Sequence, residues 1–242
     1  MSMKPILFST DMVQAILDGR KTATRRLVKP RYVLDADNNP HFFSRAEGNL
    51  FVWEDRPYIK TAIKQPYLPG DVLYVRETWR VRNVFGDFKY GNRTAEIEFK
   101  AGGEYAYMPI TDDVINDKHW RPSIHMPKEA ARIFLRVTDV RAERLWQMRN
   151  DDALREGVPT EWPMNPVYCP QCNGTGLVGT YDSDTLGFKE IDCPFCKEPI
   201  SRFRELWNHL RKGNDYHSTR FESGPFVWVV EFERIEKPEV AK

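Results

Sequence analysis

The chain has 242 residues, 41% of them hydrophobic, and its 36 Lys and Arg against 35 Asp and Glu leave it close to neutral at +1. This length and composition suit one main domain with a small satellite module. The mean hydropathy of -0.59 and the lack of an apolar run of bilayer length exclude a membrane-spanning helix, and without a leader-like N-terminus the expectation is a soluble, cytoplasmic protein.

Met12, Val13, Ile16 and Leu17 share one helical face, Ser9 or Thr10 can cap its start, and Gly19 can close it in a left-handed turn. The chain then turns basic. From Arg20 to Arg31 it holds six cations (Arg20, Lys21, Arg25, Arg26, Lys29, Arg31) and no Asp or Glu. So one-signed a stretch in a neutral chain points to an anionic or nucleotide-like partner. Loose alternation with Thr and Val predicts an extended strand over 21–28. Between about Tyr32 and Gln65 the composition shifts to Asp, Asn, Pro and scattered aromatics, as expected of hairpins or an inserted flap.

Pro69-Gly70-Asp71 signals a turn, and Val72 to Trp79 reads as a strand with Leu73 and Val75 on one face and Tyr74 and Arg76 on the other. Short strands are expected among the Gly and Asp of residues 83–118. The two prolines of Trp120 to Pro127 predict a rigid, irregular loop. Its Trp120, Arg121, Ser123 and His125 suit stacking on and hydrogen bonding to a base, against the alternative that Trp120 is plain core. Ile133, Leu135, Val137 and Val140 mark another strand. Asn150 is placed to cap a short helix from Asp151 to Glu156 that Gly157 ends. Glu156 thus meets the negative end of the helix dipole, a placement that a nearby cation would offset.

Phe203, Leu206, Trp207 and Leu210 define a later amphipathic helix, and Phe226 to Phe232 a strongly apolar strand. Trp79, Trp207 and Trp228 sit in apolar patterns and read as core. Strands outnumber helices without regular alternation, so the fold class is α+β, with a small mixed barrel preferred to a doubly wound sheet.

All four cysteines fall in one stretch, as Cys169-x2-Cys172 and Cys193-x2-Cys196. Two such knuckles about one coordination sphere suit tetrahedral thiolate binding of Zn2+ in a reducing compartment. Four sulfurs leave no open position, so the zinc is expected to be structural. A zinc deaminase is disfavoured because no His-x-Glu accompanies the cysteines.

The run Asp18-Gly19-Arg20-Lys21-Thr22-Ala23-Thr24-Arg25-Arg26, the Pro69-Gly70-Asp71 turn and the closing apolar strand together resemble the ASCH domain family. That resemblance implies a PUA-like mixed β-barrel with short flanking helices, placed over 1–165 and 200–242, while the cysteine pairs resemble a zinc ribbon inserted at 166–199. It also implies RNA-binding or nucleoside handling. One small bacterial branch consists of amidohydrolases acting on N4-acetylcytidine, whose Lys, Thr and Glu fall by motif on Lys21, Thr24 and Glu156. This chain is more than twice as long, carries Arg25 where the branch has an apolar residue, and looks more like the extended members of bacteriophages and prophages.

Three functions follow. The first is recognition of RNA or a modified nucleoside, with Arg20, Lys21, Thr24, Arg26 and Glu156 forming the pocket and Thr22, Arg25, Arg121, Ser123 and His125 as further ligand contacts. The second is an amidohydrolase with Thr24 as nucleophile, Lys21 as its activator and Glu156 as acid/base. It requires Lys21 to lie in the turn after Gly19, since in a regular strand Lys21 and Thr24 face opposite sides. The third is an adaptor, of phage origin, that binds a protein partner through the zinc module.

Overall fold

The computed structural model describes residues 3–28, 43–45, 50–56, 59–86, 93–110, 119–158, 171–172, 175, 177–182, 187–193, 198–210 and 219–238. Among the described residues, thirteen strands and three α-helices make a mixed α+β structure, chiefly sheet. It divides into two compact units, one of Met1–Gly19, Tyr67–Val140 and Glu231–Lys242, the other of Arg20–Pro66 and Arg141–Val230.

In the first unit, strand β1 (Lys4–Leu7) leads into helix α1 (Thr10–Leu17). Ser9 caps the helix through its hydroxyl, which accepts from the Met12 N–H, and Val13, Ala15 and Ile16 are its buried side. Gly19, at φ +74°, ends it as expected. Strand β6 (Val72–Arg76) follows the Gly70 turn and pairs parallel with β1. Leu73 and Val75 are fully buried while Tyr74 and Arg76 are half-buried, the alternation expected from the sequence.

The strand expected as far as Trp79 is two strands. It breaks after Arg76, where the Glu77 carboxylate is buried and held by both the Nε and Nη2 of Arg132 at 2.9 Å. Burial pushes the Glu77 carboxyl above its ordinary range, against the pull of Arg132. β7 (Trp79–Phe85), β8 (Thr94–Phe99) and β9 (Ala106–Pro109) then form an antiparallel sheet. One face of that sheet, with Trp79, Val81, Ala95, Ile97, Phe99 and Met108, packs on Met126, Ala130 and Phe134 to make the unit's core. The segment Trp120–Pro127, expected to lack regular structure, contains one 3-10 turn at Ser123–His125, closed by bonds from His125 and Met126 N–H groups to Pro122 and Ser123. Proline at the turn's entry pre-sets its φ, so it shapes this turn rather than preventing it.

In the second unit, β2 is Ala23–Leu27, and β3 (Phe43–Arg45), β4 (Leu50–Arg56) and β5 (Ile59–Lys64) form the antiparallel hairpins expected of the 32–65 stretch. Helix α2 runs Asn150–Arg155, one residue earlier than expected; the Asp152 carboxylate accepts from the Arg149 N–H to close its first turn. β11 (Leu177–Asp182) and β12 (Gly187–Asp192) form a separate hairpin. Helix α3 (Pro199–Leu210) buries Phe203 and Trp207 with Leu145, Met148, Ala153, Phe221, Val227 and Val229, whereas Leu206 and Leu210 remain exposed.

The long strands β10 (Phe134–Arg144) and β13 (Phe226–Ile235) each contribute residues to both units. The main sheet has the order β1-β6-β10-β13-β2. Among the described strands it is open, with β1 and β2 at its edges, and does not close into the barrel expected from the sequence. Which strands become neighbours depends on contacts that apolar periodicity does not encode. Leu135 is fully buried in β10. Leu135→Ala is expected to lower unfolding free energy by about 2–5 kcal/mol, measured by equilibrium denaturation.

Candidate functional site

The site is built where the chain after Gly19 meets the C-terminal end of α2, within the second unit. Three successive residues dock there. Arg20 Nη1 donates to the Gly157 carbonyl at 2.9 Å, the Thr22 N–H to the Arg155 carbonyl at 2.8 Å, and Lys21 Nζ to the Glu156 carbonyl at 2.8 Å. The last carbonyls of a helix have no partner within it and carry the negative end of its dipole, so two cations and an N–H are the donors such an end needs. Gly157, at φ +88°, turns the chain away and lets Lys21 and Glu156 form an isolated antiparallel bridge. Lys21 therefore precedes β2, in this bridge rather than in the turn at Asp18–Gly19.

Lys21 Nζ lies 2.7 Å from Glu156 Oε2 and also donates to the Ala23 carbonyl at 2.8 Å. The side chains are 0% and 5% exposed. Burial lowers the Lys21 pKa, opposed by the Glu156 charge and hydrogen bond and reinforced by the like charges of Arg26 and Arg25.

Arg25, also buried, faces three carboxylates: Glu156 Oε1 at 3.5 Å from Nη1, and Asp152 Oδ1 at 3.2 Å and Glu143 Oε2 at 3.9 Å from Nη2. Arg141 pairs with Glu143 in turn. Burial alone would raise the Asp152 carboxyl, but the Arg149 N–H and the Arg25 charge outweigh it and hold the group below its ordinary value.

Thr24 is buried at the start of β2, and no hydrogen bond joins its hydroxyl to Lys21 or Glu156. Of the other expected contacts, Arg20 is exposed and Thr22 and Arg26 are half-buried. Arg121, Ser123 and His125 belong to the first unit. There Arg121 exchanges backbone hydrogen bonds with Trp79, and Trp120 is exposed rather than core, its ring covered on one side by the Arg80 guanidinium at 4.5 Å. Trp79, Trp207 and Trp228 are buried, as read from the sequence.

Sequence reasoning missed Asp152 and Glu143. The first was within reach, because Asp152 and Glu156 are four apart on one helix face. Glu143 carried no comparable signal, since its approach to Arg25 arises from the sheet.

Cys172 and Cys193 are buried together, with Val178 packed against them, at the open end of the β11–β12 hairpin. Cys169 and Cys196 lie outside the described residues. Among the described residues no three of His, Cys, Asp or Glu gather as a metal would require.

Compared with protein-family models, curated proteins and solved structures, the chain matches none. The site is therefore read from its own chemistry. A lysine whose folded pKa lies below its unfolded value binds fewer protons folded than unfolded, so its contribution to stability rises with pH between those two values. Wild type is accordingly expected to gain stability relative to Lys21→Met as pH rises through that window toward about 10.5, measured by denaturation at a series of pH values.

Proposed function

We propose that this chain is an ASCH-type, PUA-like protein that recognises a modified nucleoside, and that Lys21, Thr24 and Glu156 remove an acyl group from N4 of cytidine. The observation that carries the reading is the Lys21 Nζ to Glu156 Oε2 contact of 2.7 Å between two buried side chains. Replacing a buried ion pair by well-packed apolar groups is often neutral or stabilising, so its presence calls for a reason other than stability.

Passing one proton from the Lys21 ammonium to Glu156 leaves an amine beside a carboxylic acid. The amine takes the Thr24 hydroxyl proton as Thr24 Oγ1 attacks the acyl carbonyl. The carbon–N4 bond breaks, and N4 receives the Glu156 proton as cytidine leaves. Water then hydrolyses the acyl-threonine, so amide and water become cytidine and a carboxylic acid. Lys21 must exchange one of its carbonyl acceptors for the Thr24 hydroxyl to begin this sequence.

Burial favours a small guest over a phosphate-tracking groove. Lys21 and Arg25 are matched by carboxylates, which leaves Arg20 and Arg26 as the more accessible cations of the described part of the run. RNA contacts by these two, or by Thr22, Arg121, Ser123 and His125, belong to the recognition form of the same proposal. Incubation with N4-acetylcytidine, followed by chromatography, is expected to yield cytidine with wild type and at least about 100-fold less with Thr24→Ala. Equal turnover, or none with wild type, refutes the reaction.

A second reading rests on its own observation. In the β11–β12 hairpin Tyr181 and Phe188 pair edge to face, with ring centroids 5.5 Å apart, and Phe188 is 85% exposed. An exposed aromatic pair is what an adaptor needs to hold a protein partner. The same hairpin would be held by structural Zn2+ on Cys169, Cys172, Cys193 and Cys196. Metal analysis is expected to find one zinc per chain, lost in Cys172→Ser together with hairpin order.

A further inference from the structure

Arg25 is the member of this cluster that the proposed chemistry leaves without a task. It stands where the resembled branch has an apolar residue, and its side chain is 1% exposed. Its guanidinium reaches across α2, with Nη1 donating to Glu156 Oε1 and Nη2 beside Asp152 one helical turn earlier. Nη2 lies 3.2 Å from Asp152 Oδ1, an ion pair that adds to the hold on Arg25. Glu156 is therefore held at both oxygens, Oε2 by Lys21 and Oε1 by Arg25.

We propose that Arg25 is the positioning residue of the site: it fixes the Glu156 carboxylate so that one oxygen faces Lys21, and its permanent charge favours the amine form of Lys21. A permanent cation beside the pair repels the Lys21 ammonium and favours its amine. Asp152 and Glu143 moderate this by sharing the guanidinium charge, and Arg141 in turn pairs with Glu143.

Lys21 shares this cluster with Glu156 just after α2, Asp152 within it, Arg25 and Arg26 from β2, and Glu143 and Arg141 from β10. Their formal charges, counting Lys21 itself, are four positive and three negative. Removing Arg25 leaves three against three and withdraws the cation in direct contact with Glu156. The direction of the Lys21 shift agrees, since Arg25 is among the groups that lower it. A merely structural tie between β2 and α2 would predict lost stability and no directed change in the protonation of Lys21.

The inference takes its reaction from the amidohydrolase reading, but its electrostatics can be tested without turnover. The Lys21 ammonium is followed by NMR in protein carrying 15N-labelled lysine, with its signal assigned by its loss in Lys21→Met. In Arg25→Gln the titration of Lys21 is expected to move to higher pH than in wild type. An unchanged or lower midpoint overturns the inference. Should Arg25→Gln fail to fold, the comparison is made between Asp152→Asn and Arg25→Gln/Asp152→Asn, the latter having the net charge of wild type. A higher midpoint in the double variant is expected, and equal midpoints overturn the inference. A wild type that does not hydrolyse N4-acetylcytidine but shows the shifted Lys21 titration on loss of Arg25 refutes the reaction and leaves the role of Arg25 standing.

Discussion

A single ammonium organises the candidate site. Lys21 leaves the turn after Gly19 and is buried against the end of α2, where it meets a carbonyl and a carboxylate of the same residue, Glu156. Neither partner would be stable there alone. An unpaired carboxylate at a helix C-terminus opposes the helix dipole, and an unpaired buried ammonium loses its hydration without return. Together they satisfy each other, and Arg20 and Thr22 satisfy the neighbouring carbonyls. The backbone of 20–22 and the end of α2 are thus joined by the same contacts that bury the Lys21–Glu156 pair.

Much of this was legible from local rules. Gly19 and Gly157 read as helix stops because only glycine readily adopts the positive φ found at both. Glu156 stood out because a carboxylate in the last turn of a helix needs a cation, and the cation proved to be Lys21. The strand alternation at Leu73 and Val75 followed from a period of two. What failed shared one physical feature, dependence on distant partners. The run of cations read as unmatched charge because it holds no Asp or Glu of its own between Arg20 and Arg31. Its counter-charges, Glu143, Asp152 and Glu156, come from more than a hundred residues further on. In the same way, the open sheet order with β1 parallel to β6 and the break at Glu77 depend on pairings that no single segment announces.

The β11–β12 hairpin follows a different logic. A two-stranded ribbon is marginal in water by itself, and this one carries exposed aromatics that weaken the case for stability through burial. Register brings Cys193, directly after β12, toward the chain that precedes β11, where Cys172 lies. Closure of its base by the proposed structural zinc would let such a hairpin do with little core of its own, and would free its strands to display Tyr181 and Phe188.

Charge matching separates the two classes of function more sharply than charge content does. A surface that holds nucleic acid backbone leaves its cations unpaired until phosphate arrives, because release of counterions is the source of its affinity. Lys21 and Arg25 already have carboxylate partners, and a phosphate would have to displace them from a buried setting. A proton-transfer site has the opposite requirement, since an acid and a base must be held together, nearly balanced, away from water. Lys21 and Glu156 are held together away from water, and Arg25 touches the carboxylate on its other oxygen.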